Sequence, residues 1–417
     1  MTAELTVSTT ADDVVAHEWD SLVPPGAVYL RHAWLRQVQE CFGLRLVLFR
    51  LRRRGTLTAA MPALLLPESD PYPYHDPAGA LFGAYELDHL RQALLLDRGE
   101  AAAGAMSALL AAVVREERTF AQSALYPALV STSPYGFAGG ILAVPGPERA
   151  AAVEALLREV DDYCTAHGVR SQSVLWQDDT DPVTETVLRR RGFQPVLADQ
   201  EYHLDLGGVR DFAGYLAGLE HRRARVIGTE MRRFERSGAT AERLREPTGD
   251  DIRRCAGLAM AHHEKYGLPA DPDALARMFD ALLRERTLGA RLDVIRRDGE
   301  LGGFVLSFHA GGVLYPKFLG FDAAVVGNSY AYFNLVFYHL IREAIAAGAH
   351  RIAYGMGSAD AKQRRGARPA PVRSWFRMAE PSTRRRLEPY ITVFDVLKRQ
   401  ILMPREDPPA DLGERQS

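Results

Sequence analysis

Residues 291–320 read RLDVIRRDGELGGFVLSFHAGGVLYPKFLG. Three apolar runs, Arg291 to Arg296, Leu301 to His309 and Val313 to Leu319, are separated by Asp298-Gly299 and Gly311-Gly312. Short glycine turns between apolar runs join antiparallel neighbours, so this stretch predicts a three-stranded meander. Downstream, the spacing predicts a long helix from Ser329 to Ala347, closed by Gly348, with the Ser329 hydroxyl as its cap. Arg351 to Tyr354 then returns as a strand that runs into Gly355-Met356-Gly357.

The same alternation fills the earlier part of the chain. Arg45 to Leu51 and Thr56 to Leu66 form a hairpin through Arg54-Gly55, and Ala124 to Val130 is strand-like. Helices are expected at Tyr29 to Cys41, Leu87 to Leu95, Ala101 to Glu117, Pro147 to Ala166 and Val183 to Arg191. Gly192-Phe193 ends the last of these before another strand. Antiparallel strands mixed with helices indicate an α/β, mixed α+β class, with one architecture used twice. Gly207-Gly208 marks the division, giving units 1–207 and 208–402 and a Pro- and charge-rich flexible tail at 403–417.

With 417 residues, 47 % of them apolar and 25 % charged, the chain has an ordinary globular composition. Its longest nearly apolar run, Ala101 to Val114, falls short of the roughly 20 residues that span a bilayer. No signal-like segment opens the chain, so a cytoplasmic location without membrane attachment is expected. Cys41, Cys164 and Cys255 lie far apart and are read as reduced core residues. Neither a P-loop nor a GxGxxG fingerprint occurs, and His262-His263-Glu264 lacks the four-residue histidine spacing of a helical zinc site. No metal is expected.

Charge separates the halves. Residues 1–200 carry 17 basic against 25 acidic side chains, and residues 201–417 carry 34 against 28. Only four of the 51 basic residues are lysines, Lys265, Lys317, Lys362 and Lys398, all in the basic half. On the predicted helix His221 to Ser237, Arg222, Arg225, Arg232, Arg233 and Arg236 share one side, while Ile227, Met231 and Phe234 share the other. That basic face runs about 21 Å and suits either solvent or a phosphate backbone. Between Tyr315 and Arg364, polar groups crowd the turns: Tyr315, Lys317, Asp322, Asn328, Tyr330, Asn334, Tyr338 and Lys362.

Several segments, taken in order, resemble the tandem GNAT-fold transferases, specifically the Fem-type aminoacyl-tRNA-dependent transferases and their GNAT-like relatives. In the first half these are Trp19 with Leu22, Trp34, the turn from Ser133-Pro134-Tyr135 to Gly140, and Arg189 to Phe193. In the second they are the basic helix after Tyr215, Lys265-Tyr266-Gly267, Gly320-Phe321-Asp322, and Tyr354 to Gly357 followed by Lys362 and Gly366. The resemblance implies two tandem GNAT-like domains, the second active. An acetyl-CoA-dependent relative would carry [RQ]xxGx[GA] before its long helix, whereas Ala323 to Ser329 lacks the leading Arg or Gln. The resemblance therefore implies aminoacyl-tRNA as co-substrate, a small-molecule amine acceptor, amide-bond formation and no resident cofactor.

By position it points to Lys362 at the reacting carbonyl, with Tyr315, Asp322 or Tyr338 moving protons. Lys317, Asn328, Tyr330, Asn334 and Tyr135 are the expected substrate contacts. The arginine face, extended by Arg364 and Arg365, is the expected tRNA surface. Two alternatives stay open: an acyl-CoA-dependent N-acyltransferase, and a catalytically silent GNAT-like binding protein. The sequence leaves the oligomeric state unknown.

Overall fold

A computed structural model describes residues 3–83, 100–178, 180–265, 267–268 and 271–403. The expected helix at Leu87 to Leu95 and nearly all of the 403–417 tail lie outside the described residues.

The first half supplies β1 (Ala3–Ser8), β2 (Leu46–Arg53), β3 (Thr56–Leu66), β4 (Ala128–Ser131), β5 (Leu142–Ala143), β6 (Ser171–Asp178) and β7 (Gln194–Asp205). The second supplies β8 (Thr240–Leu244), β9 (Ala290–Arg297), β10 (Glu300–Ala310), β11 (Val313–Phe321), β12 (Arg351–Ala353) and β13 (Arg368–Met378). The meander read at residues 291–320 is β9-β10-β11, antiparallel throughout. All thirteen strands join one sheet, ordered β1-β2-β3-β4-β6-β13-β7-β12-β11-β10-β9-β8, with β5 beside β3. This is the mixed α/β, largely antiparallel architecture expected from the sequence.

The halves exchange their last strands. β13 lies between β6 and β7, while β7 lies between β13 and β12. In each half one parallel pair, β4·β6 or β11·β12, precedes the exchange. The chain turns at Gly207-Gly208, but the hydrogen-bonded sheet runs on across that point. β13 has no counterpart in the sequence reading, and neither has the helix Pro381–Leu402 that packs beside it.

Three buried clusters hold the layers together, and the largest contains apolar residues from both halves, including Trp34, Phe279, Phe308 and Phe394. The three cysteines are buried and unpaired, and burial is the main reason their thiol pKa values rise. Among the described residues no helix is long and apolar enough to cross a membrane.

One expected helix is built differently. In place of a continuous helix from Ser329, Ala331–Phe333 is followed by a π-helical segment, Asn334–His339, and then by Leu340–Ala346. Tyr330, at φ 59°, occupies the position before the first turn and makes no side-chain cap. The Ser329 hydroxyl is buried without a partner, so it does not cap the helix.

Candidate active site

β11 and β12 stay paired only at Val313↔Arg351 and Leu314↔Ile352. Beyond them the chain after β12 follows β7, with Tyr354 donating to the Tyr202 carbonyl at 2.8 Å. The sheet therefore opens where β11 continues through Tyr315 and Lys317. Leu306 faces Phe318 and Ser307 faces Pro316, which leaves Lys317 as the extra residue of a β-bulge. A bulge re-aims the side chain it carries. Here it sends Lys317 against the first half.

The Lys317 ammonium lies 4.0 Å from the centroid of the Phe137 ring and 5.1 Å from that of Tyr29. No hydrogen bond reaches its Nζ from the described residues. Desolvation dominates and pulls its pKa down to about 7, although the negative charge of Glu201 works the other way. His75 is buried beside it and kept neutral, its pKa lowered to about 3 by burial first and by Lys317 second. His75 Nε2 accepts the Tyr135 amide at 2.8 Å, which assigns the ring proton to an unpartnered Nδ1. Burial likewise raises the phenol pKa values of Tyr29, Tyr135 and Tyr315.

The first-half wall is held in strained backbone. Tyr135, Phe137 and Trp176 have φ of 56°, 52° and 61°. Bulky residues in the left-handed region cost about 1–3 kcal/mol each and gather where the surroundings fix an unusual shape. Between the first two lies Gly136, where a Cβ would come within 2.6 Å of Tyr29 Cβ and 2.5 Å of Ser133 Oγ. Only glycine lets the loop approach Tyr29 this closely.

The sites expected from the sequence separate into three groups. Tyr315 and Lys317 share this opening, whereas the Tyr135 ring packs 4.4 Å from Phe42, 4.7 Å from Tyr72 and 4.8 Å from His75. Tyr29 lies 5.8 Å from Tyr315 between ring centroids. Lys362 is a separate buried lysine on which Glu201 also acts. It is buried, with its pKa lowered to about 8 by desolvation, and it donates to the carbonyls of Gly355 and Met356, both at 2.8 Å. Two of its three ammonium protons therefore hold the Gly355-Met356-Gly357 turn.

A second group is closed on itself. Tyr338 donates to Glu230 and accepts from Arg365 Nε at 3.1 Å, while Arg365 Nη2 reaches Glu230 at 2.7 Å. Tyr338, Glu230 and Arg365 are all buried. This network ties the helix His221–Arg236 to the π-helical segment, with the Tyr338 hydroxyl and the Arg365 guanidinium engaged by each other and by Glu230. Asn334 donates to the Tyr330 carbonyl at 3.0 Å and is buried in the same region.

The third group lies apart. Asp322 pairs with Arg254 at 2.7 Å and accepts the Ala324 amide, contacts that hold its pKa down. It is thus already engaged as a cap and ion-pair partner and does not join the Lys317 opening. Asn328 is exposed on the following turn. On the basic helix, Arg222, Arg225, Arg232, Arg233 and Arg236 are exposed while Ile227 and Phe234 are buried, the division read from the sequence. Arg233 stacks 5.6 Å from the Tyr330 ring centroid, and the exposed Arg364 pairs with Asp360.

Sequence reasoning missed Glu201, His75, Tyr29, Phe137 and Trp176 as parts of one site. Glu201 sits on β7, 3.4 Å from His203, and its charge also reaches Tyr29 and Tyr315. Among the described residues no group of His, Cys, Asp and Glu could hold a metal ion.

FemX shares 12 % identity at a TM-score of 0.55, over 90 % of this chain and 98 % of FemX. A tandem GNAT protein from the clavulanic acid biosynthesis pathway shares 12 % at 0.49, over 91 % and 99 %. The C-terminal domain of a putative lysylphosphatidylglycerol synthetase from Agrobacterium fabrum shares 13 % at 0.44, over 65 % and 82 %. These likenesses concern the fold. No curated protein sequence matches the chain. The FemAB-like family model, described as peptidoglycan biosynthesis/recognition, matches residues 116–402. The chain belongs to the FemAB-like family.

Proposed function

We propose that the protein is an aminoacyltransferase that moves an aminoacyl group from aminoacyl-tRNA to the amine of a small acceptor, a specialised metabolite or cell-wall precursor. Lys317 carries this reading: it is an ammonium without a hydrogen-bond partner among the described residues, in an aromatic enclosure where the sheet opens. With a pKa of about 7, a large share of Lys317 is neutral near neutral pH. A neutral amine there can take a proton from the attacking acceptor.

The chemistry balances without an outside reagent. The acceptor nitrogen bonds to the ester carbon, the bond from that carbon to the ribose oxygen breaks, and Lys317 takes a proton from nitrogen. The same proton then passes to the departing oxygen. Glu201 favours the transiently charged lysine. Lys362 keeps the Gly355–Gly357 turn in place and has one N–H left for the developing oxyanion, a contact of the kind worth roughly 3–4 kcal/mol. Because the donor ester is already activated, this reading requires no resident cofactor. The exposed arginine face offers phosphate contacts to the tRNA.

The test is incubation of the protein with a pool of charged tRNA and candidate amines, with and without ribonuclease, while amide products are followed by mass. Ribonuclease-sensitive amide formation is expected. Ribonuclease-resistant product with consumption of acyl-CoA would assign the site to acyl-CoA chemistry, and ligand binding without any product would assign it to recognition.

A further inference from the structure

Two further bulges meet on the opposite flank of the same aromatic wall. On β6, Leu175 and Trp176 together face Ser374 of β13, because Gln177 pairs with Arg373 and Val174 with Trp375. On β7, Ala198 is the extra residue between Asp199, opposite Val372, and Leu197, opposite Arg373. Both bulges border one pocket of ≈ 310 Å³, whose lining includes Tyr74, Trp176, Val196, Ala198, Phe376 and Phe394. The lining is largely apolar and built from both halves of the chain. Such a cavity is the usual form of a small-molecule site, enclosed by hydrophobic and aromatic side chains with few polar groups.

The pocket shares its wall with the Lys317 site. Tyr74 and Trp176, which line it, lie 5.3 Å and 5.4 Å from the Phe137 ring centroid. The Lys317 ammonium also lies against that ring, 4.0 Å from its centroid. Trp176 is fixed by its left-handed backbone and by donating to the Tyr74 carbonyl at 3.1 Å. A rigid, preorganised aromatic surface loses little entropy when it takes up a ligand.

We infer that this pocket receives a large apolar substituent of the acceptor, an aromatic or branched aliphatic group of about indole size, while the acceptor's amine is presented to Lys317. This deepens the proposed transfer and rests on it for the assignment to the acceptor. The acceptor, rather than the donor, is chosen because Lys317 handles the attacking amine, so the substituent nearest that amine meets the adjacent cavity. The charged member of the lining is the buried Lys398, whose ammonium lies 5.9 Å from the Phe394 ring centroid, and Ser374 adds a hydroxyl; the rest of the surface is mainly apolar.

The experiment compares tryptamine with ethylamine as acceptors, using the full chain and a charged tRNA pool, and separately measures tryptamine binding by calorimetry without donor. Tryptamine should bind and be used at least tenfold better in kcat/KM. Ala198→Trp fills the cavity from the sheet and Ala80→Trp from the helix Pro77–Phe82; each should reduce the tryptamine-to-ethylamine ratio tenfold or more, within the range an apolar pocket supports. Equal use of the two amines, or a ratio untouched in both folded variants, overturns the pocket assignment. Tryptamine binding that is lost in both variants, with no amide formed from any donor, keeps the pocket and overturns the transfer reaction.

Discussion

The two parallel pairs that precede the strand exchange have diverged in how they open. In the first half, β4 and β6 stay paired from Ala128↔Ser171 to Ser131↔Val174. Beyond it come the buried Thr132 and Ser133, with Gly139 packed against Gln177 and Gly140 against Ser131. In the second half, β11 and β12 part after two residues, and the gap holds Lys317, with Glu201 within electrostatic reach. One repeat has become a wall of strained aromatic residues. Its partner carries the ionisable groups. Neither half contains the whole site, and the exchange of β7 and β13 holds the two in one sheet.

The largest effect should come from the buried lock of the second half. Arg365→Met leaves Glu230 buried without its cation, and removing one partner of a buried pair costs about 3–5 kcal/mol. Chemical denaturation should show that loss, and a wild-type midpoint would show that the network is not holding the basic helix in place. Lys317→Met should lower kcat by about a hundredfold with the fold retained. The same variant should be more stable. Folded Lys317 has a pKa of about 7 against an ordinary 10.5, so unfolding takes up a proton between these values. The penalty for burying the charge is therefore complete below about pH 7 and fades as pH rises toward 10.5. A gain in stability near pH 7 is expected, in line with sites that trade stability for activity. A thermal melt no higher than wild type would contradict that sign.

A glycine of the first-half wall and one on a helix of the second half give a matched pair of smaller tests. Gly136→Ala pushes a methyl against Tyr29 and Ser133 and should destabilise by about 1–3 kcal/mol and raise the acceptor KM. Gly257→Ala, where a Cβ meets nothing within 4 Å, should be neutral or stabilise by up to about 1 kcal/mol. Similar melts for the two would remove the claim that the loop needs glycine for close approach. Least in free energy, Arg225→Glu with Arg232→Glu should weaken donor binding and reduce its logarithmic salt slope by about 2. An unchanged slope would take the basic face out of tRNA binding.

Much of the fold could be read from local punctuation. Asp298-Gly299 and Gly311-Gly312 set the meander, and Gly348 and Gly192 ended helices where the structure ends them. β13 escaped because Pro369 and Pro371 cannot donate to a sheet ladder, which argues against a strand with neighbours on both sides. Helix Pro381–Leu402 was masked in the same way by Pro389 within it. The strand exchange depends on pairings across about 170 residues, which no local pattern reports.

Lys317 and Lys362 stood out because lysine is rare here, so two parts of the site were visible as residues. Their surroundings were not. His75 and Phe137 belong to loops of the other repeat, Glu201 lies on an unremarkable strand, and only folding brings their fields to bear on Lys317. Tyr338 and Arg365 show the converse: polar residues near a glycine turn that the fold spends on one another.

The scarcity of lysine also supplies the most direct test of the central claim. With only four lysines in the chain, labelling at the lysine side-chain carbon next to nitrogen gives a spectrum simple enough to titrate residue by residue, and the signal missing from Lys317→Met identifies its owner. This signal should titrate near pH 7 in the wild-type protein. A Lys317 signal that stays charged to pH 10 would contradict it.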